Sequence, residues 1–119
     1  MRYMFLIYRP DLETLTDSEI AAGVNEASRE VILDARAKGV FRGAEPLRPA
    51  STATTVRRQN GHAVTVDGPF AETKEQLAGY YILDCENLDE ALDWAKRIPC
   101  SGEHGSVEIR PIREISLPV

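Results

Sequence analysis

The stretch TATTVRRQNGHAVTVDGPFAETKEQLAGYYILDC, residues 52–85, decides how this chain is read. Asn60-Gly61 is the preferred dipeptide of a type I′ hairpin turn, because both central residues of that turn need positive φ. Residues 52–58 and 62–67 flank it as two β-rich runs. A two-residue loop sets Gln59 opposite His62, Arg57 opposite Val64 and Thr55 opposite Val66. Period-2 alternation then gathers Thr55, Arg57, Val64 and Val66 on one face. A turn-rich link follows, DGPFAETKEQLAG. Gly68 precedes a proline, so its backbone is extended or at positive φ. If Pro69 holds position i+2 of a tight turn, the Gly68–Pro69 bond is cis. Phe70 is expected to plug this turn into the body. Residues 80–85, YYILDC, then read as a strand apolar on both faces, with Tyr80 and Tyr81 pointing to opposite sides.

Outward from that stretch, residues 2–8 (RYMFLIY) form another strand with two apolar faces: Tyr3, Phe5, Ile7 and Met4, Leu6, Tyr8. Such a strand needs cover on both sides. A helix follows, with Thr16 and Glu19 at capping-box spacing. Its stripe is Ile20, Val24, Ala27, Val31, Ala35, and Gly39 suits the left-handed C′ position. Residues 40–47 read as a strand broken near Pro46. Asn87 caps a second helix, whose stripe is Leu88, Ala91, Leu92, Ala95 and Ile98, with Trp94 packing at its margin as a core residue. Residues 106–113 read as the last strand, and Pro111 suits a sheet edge or a bulge.

The order β, α, β, hairpin, β, α, β predicts one α+β domain over residues 1–119. The pattern is ferredoxin-like, a split βαβ with an inserted β-hairpin. Helices cover one sheet face. The other face is apolar as well, and a second copy packed across a two-fold axis would cover it, so a homodimer is expected.

The 119 residues carry 14 basic and 19 acidic side chains, a net charge of −5, and a 43% hydrophobic fraction. That balance fits a globular chain and argues against nucleic acid, which asks for a basic stripe. No run approaches the about 18 apolar residues of a membrane span. The apolar start is too short for a signal peptide, so a cytoplasmic protein with no membrane partner is expected. Cys85, Cys100, His62 and His104 lack metal-like spacing. Cys85 reads as a small core residue, His62 and His104 as surface, and neither a metal nor a cofactor is expected.

The candidate catalytic residues are Asp67, Arg57 and Glu72. Asp67 is a proton acceptor or a turn residue accepting backbone N–H groups. Arg57 grips an anion bidentately or pairs internally with Glu45, Asp67 or Glu108. Glu72 sits on the loop nearest the sheet, whereas Lys74 and Glu75 read as a solvated run. Glu45, Glu108, Arg110 and Tyr80 are candidates for substrate binding. Glu108 and Arg110, at i and i+2, share one face of the last strand. No Ser, Cys or Lys has a recognisable partner base, which leaves acid–base rather than covalent chemistry.

The run from Asp67 to Glu75, followed by Gly79-Tyr80-Tyr81, resembles the DGPF-domain proteins of the YCII-related family. The likeness extends to Glu45-x-Leu47, Thr55-Val56-Arg57, Ala91-x-x-Trp94-Ala95 and Glu108-Ile109-Arg110-Pro111. The resemblance implies a ferredoxin-like subunit that pairs as a dimeric α/β barrel, a cleft between sheet and loops, and a bacterial origin. It implies two functions. One is a small-molecule lyase or isomerase, as in relatives that resemble dehydrochlorinases. The other is a non-catalytic ligand-binding or regulatory module linked to an extracytoplasmic-function sigma factor. The His–Asp pair attributed to some relatives has no match here, since His62 follows a turn and His104 lies in a Gly-flanked loop.

Overall fold

The computed structural model describes residues 1–14, 26–99 and 105–117. Four strands form an antiparallel sheet in the order β2-β5-β1-β6. These are β1 (Arg2–Arg9), β2 (Phe41–Pro46), β5 (Gln76–Asp84) and β6 (Ser106–Pro111). β3 (Thr54–Gln59) and β4 (His62–Asp67) make a separate two-stranded arm. The helices are α1 (Glu26–Ala37) and α2 (Leu88–Arg97). This order is compatible with a ferredoxin-like fold, with the arm inserted between β2 and β5.

β1 lies in the interior of the sheet, as its two apolar faces require. Its odd residues meet the helices. Tyr3, Phe5, Val31, Ala35, Tyr81, Leu83, Cys85, Ala91, Trp94 and Ile98 form one buried core, with Phe5 and Leu83 at 0% exposure. Burial pushes the Cys85 thiol up to about 11, as expected for a core cysteine. β6 is an edge strand that ends at Pro111, two residues short of the expected end, and β2 ends at Pro46.

α1 ends in a Schellman arrangement. Gly39 stands at φ 73°, its N–H donates to Arg36 O, and the Val40 N–H donates to Ala35 O. Val31 and Ala35 of the expected stripe are buried, whereas Ala27 is exposed. The Thr16–Glu19 start and Ile20 and Val24 lie outside the described residues. At α2 the Asn87 Oδ1 accepts the Glu90 N–H at 2.9 Å, as its spacing predicts. Ala91 and Ile98 of the expected α2 stripe are buried, and Ala95 packs against the core. Trp94 is buried at the centre while Leu88 and Leu92 are exposed. The Trp94 ring is clasped by Lys38 (5.3 Å) and Arg97 (4.8 Å), and both cations also bind Asp34. That clasp ties the end of α1 to α2 across the ring.

The arm has the expected register: Gln59 pairs with His62, Arg57 with Val64, Thr55 with Val66. Asn60 and Gly61 stand at φ 51° and 80°, the type I′ signature. Gly68 takes the positive-φ option at 102°, and the peptide bond to Pro69 is trans. β5 starts at Gln76, four residues before the expected strand, and it carries one extra residue. Ile7 pairs with Gly79 but Tyr8 pairs with Leu77, so Ala78 is a β-bulge. The Ala78 carbonyl is satisfied by the Leu47 N–H at 2.7 Å.

Candidate functional site

Strand pairing collects four of the sequence candidates on the helix-free sheet face. Glu45 pairs with Tyr80, Tyr80 with Leu6, and Leu6 with Glu108, so these residues form one row across all four strands. The next row runs Gly43, Ile82, Met4, Arg110. Directly opposed residues share a face, so Glu108 and Arg110 share theirs, as their i, i+2 spacing predicts. Tyr81 joins the core, which leaves Tyr80 as the half-buried tyrosine of this face. Glu45 and Glu108 stand at opposite ends of the row, three strand spacings or about 14 Å apart at the backbone. They cannot share a proton.

Tyr8, one position beyond Leu6 on that face, donates its hydroxyl to Glu108 Oε1 at 3.4 Å. Partial burial, then the Glu108 charge, pushes the Tyr8 phenol above its ordinary 10.0, while Arg110 pulls it down. Tyr8 and Glu108 line a groove of about 520 Å³ together with Thr73, Lys74, Glu75, Ser106 and Val107. Thr73 shapes the loop rim by donating its hydroxyl to the Glu75 carbonyl. Sequence reading did not single out Tyr8 as a site residue. Its membership of the Met4/Leu6 face was visible, but its partner lies 100 residues away. Lys74 and Glu75 are exposed as expected, yet they also form this wall.

The three catalytic candidates lie elsewhere. Arg57 is exposed and donates to the Phe70 carbonyl, not to Glu45, Asp67 or Glu108. The expected internal pair of Arg57 with a carboxylate therefore gives way to a backbone carbonyl, because a guanidinium on the arm reaches the returning loop before any carboxylate. Thr55 Oγ1 donates to Gly68 O, and Gly68 N–H to Ala53 O, each at 2.7 Å. These bonds fold the 68–70 loop onto the base of the arm. Asp67 pairs with Thr54 in the arm ladder, and its exposed carboxylate accepts no hydrogen bond among the described residues. Glu72 is exposed on the loop. Asp67, Arg57 and Glu108 thus do not converge on one pocket. Phe70 is not a plug, since it is 73% exposed. Its backbone is held from the arm side, which leaves the ring pointing to solvent.

A second polar cluster straps the turns below the sheet. Glu13 accepts the Ser51 N–H at 2.9 Å, the Ser51 hydroxyl at 2.8 Å and the Gln76 amide at 3.2 Å. The Ser51 bonds hold the Glu13 carboxyl below its ordinary value. Every contact is internal, so the cluster reads as a fastening. Among the described residues, no three His, Cys, Asp or Glu side chains gather as a metal set. No helix among them is long and apolar enough to cross a membrane.

An antiparallel sheet with both helices on one face, and a bare, polar-rimmed other face grooved at its Tyr8 end, makes this an α+β protein. The chain belongs to the YCII-related domain family, whose profile matches residues 1–116. It is similar to an uncharacterised protein of Rhizobium meliloti (strain 1021), with 49% identity over 67 residues. That match covers 56% of this chain and 54% of the relative, so the chain spans about half the length of the relative it matches.

Proposed function

We propose that the protein binds a small organic acid in the groove beside β1, β6 and the 73–75 loop, and acts on it as a lyase or isomerase. The observation that carries this reading is the Tyr8–Glu108 pair inside the groove. Glu108 takes a proton from the carbon next to the substrate carboxylate. The electron pair left on that carbon delocalises into the carboxylate, and Tyr8, a phenol protonated at neutral pH, turns its one hydroxyl proton from Glu108 to that charge once Glu108 is itself protonated. Lys74 lines the groove, and Arg110 lies close enough to act on Tyr8, so these two cations would hold the substrate carboxylate. Tyr80 and Glu45 extend the cleft across the sheet. Asp67 and Glu72 are rim groups on the arm and loop. A second copy on the bare face closes the cleft, in the manner of a dimeric α/β barrel, and supports the apolar Met4, Leu6 and Ile82.

The test is proton exchange in D₂O, followed by NMR, with a panel of small aliphatic and aromatic carboxylates. The wild type is expected to exchange the α-proton of at least one. Glu108→Gln should abolish exchange without weakening binding more than a few-fold, and Arg110→Ala should weaken binding roughly tenfold or more. Exchange that survives Glu108→Gln overturns the acid–base assignment. Binding without exchange in the wild type makes the cleft a ligand-binding module instead.

A further inference from the structure

We infer that the groove takes a small amino acid rather than a simple carboxylic acid, and that Glu75 is the residue that reads its ammonium group. The inference rests on the groove reading proposed above and names the substrate class within it. The groove of about 520 Å³ is lined by Glu75 and Glu108 against Lys74, so its walls carry one more acidic than basic group. Arg110, close enough to act on Tyr8, brings the local balance to neutral. The whole chain stands at −5. A plain anion entering that field is drawn by the two cations and repelled by the two carboxylates. A zwitterion answers both signs at once. Tyr8 adds an aromatic wall, and aromatic faces attract an ammonium.

Position separates the roles of the two carboxylates. β1 lies between β5 and β6 in the sheet. Glu108 belongs to β6 and pairs with Leu6 of β1, whereas Glu75 directly precedes β5, whose first residue, Gln76, pairs with Arg9 of β1. The two flank β1 from opposite sides, two strand spacings or about 10 Å apart across the sheet. They therefore meet different parts of one bound molecule. Glu75 is also firmly placed. On one side the Thr73 hydroxyl donates to the Glu75 carbonyl. On the other the Gln76 side chain accepts the Ala50 N–H and donates to Glu13. Yet among the described residues the Glu75 carboxylate has no ion pair, and neither has the ammonium of its neighbour Lys74. Elsewhere exposed opposite charges do find one another: Arg2 with Glu114, Arg42 with Asp84, Arg97 with Asp34. Two opposite charges left unpaired on one groove wall suit the two ends of a zwitterion, carboxylate to Lys74 and ammonium to Glu75.

Isothermal titration calorimetry at neutral pH and fixed ionic strength tests this with matched ligands, each an amino acid and the acid that lacks only its amino group. Alanine and β-alanine are each set against propanoate, and phenylalanine against 3-phenylpropanoate. The wild type is expected to bind at least one amino acid roughly tenfold more tightly than its partner acid. Glu75→Gln should cut that preference to about twofold or less and leave the plain acid bound as well or better, while Glu75→Asp should keep part of it. Urea midpoints of both variants should match the wild type, because the Glu75 side chain is exposed. A wild type that binds the plain acids as tightly as the amino acids overturns this inference and leaves the groove reading standing. A preference that survives Glu75→Gln overturns Glu75 as its source. Silence from both series overturns the groove reading itself, and this inference with it.

Discussion

Neighbouring residues of β1 meet opposite fates. Tyr3 and Phe5 are buried under the helices, whereas Met4, Leu6 and Tyr8 on the other face are only half-covered. In sequence the two faces are equally apolar. What separates them is cover, since both helices pack on one side and neither on the other. The covered face holds the stability of the fold. The bare face holds the polar row from Glu45 to Glu108, with the Tyr8–Glu108 pair at one end. An apolar alternation therefore marks where a strand is interior, and says nothing about which side is core.

The sharpest way to break that contrast is to truncate both faces of β1 in turn. Phe5→Ala is expected to cost about 3–5 kcal/mol, the transfer term plus an unfilled cavity. Leu6→Ala should cost about 1 kcal/mol, since it leaves a half-exposed site. Urea midpoints with unchanged m values measure both, and equal losses would mean that both faces are equally covered. Gly79→Ala comes next. A Cβ there would lie 2.7 Å from the Glu45 carbonyl oxygen and 3.1 Å from the Pro46 Cα, both backbone atoms that yield poorly. The expected cost is about 1–3 kcal/mol, read by the same melt. The smallest effect belongs to the helix layer. Arg97, then Lys38, holds the Asp34 carboxyl below its ordinary 3.8. Because the folded value is the lower one, the stabilisation is present above 3.8 and fades as pH falls through the folded value. Asp34→Asn should lower the midpoint slightly at pH 7 and not at all in strong acid. A gap that persists in acid would give Asp34 a role apart from its charge.

Much of this was legible in residues 52–85. The arm register followed from Asn60-Gly61, because a two-residue turn leaves no freedom in pairing. The Asn87 cap followed from spacing. The face shared by Glu108 and Arg110 followed from alternation, and the edge position of β6 from Pro111. What escaped was long-range. The Tyr8–Glu108 pair depends on which strands become neighbours. Leu88 and Leu92 face outward although they belong to the apolar stripe of α2, because the core is filled from Ala91, Trp94 and Ile98. Arg57 found a backbone carbonyl because the loop returns across the arm, which no local pattern records.

The bulge at Ala78 offsets the sequence parity of everything before it in β5. Before it, Leu77 stands beside Tyr8 on the bare side, and Gln76 beside Arg9 reaches Glu13 and the Ala50 N–H. A strand is a two-step counter, and Ala78 is a step that the count skips. Deleting it would keep Leu77 beside Tyr8 and Gln76 beside Arg9, and would remove only the carbonyl that takes the Leu47 N–H. One alanine thus works as slack in the weave, spent on holding the chain beyond β2 rather than on the pairing of β5 with β1.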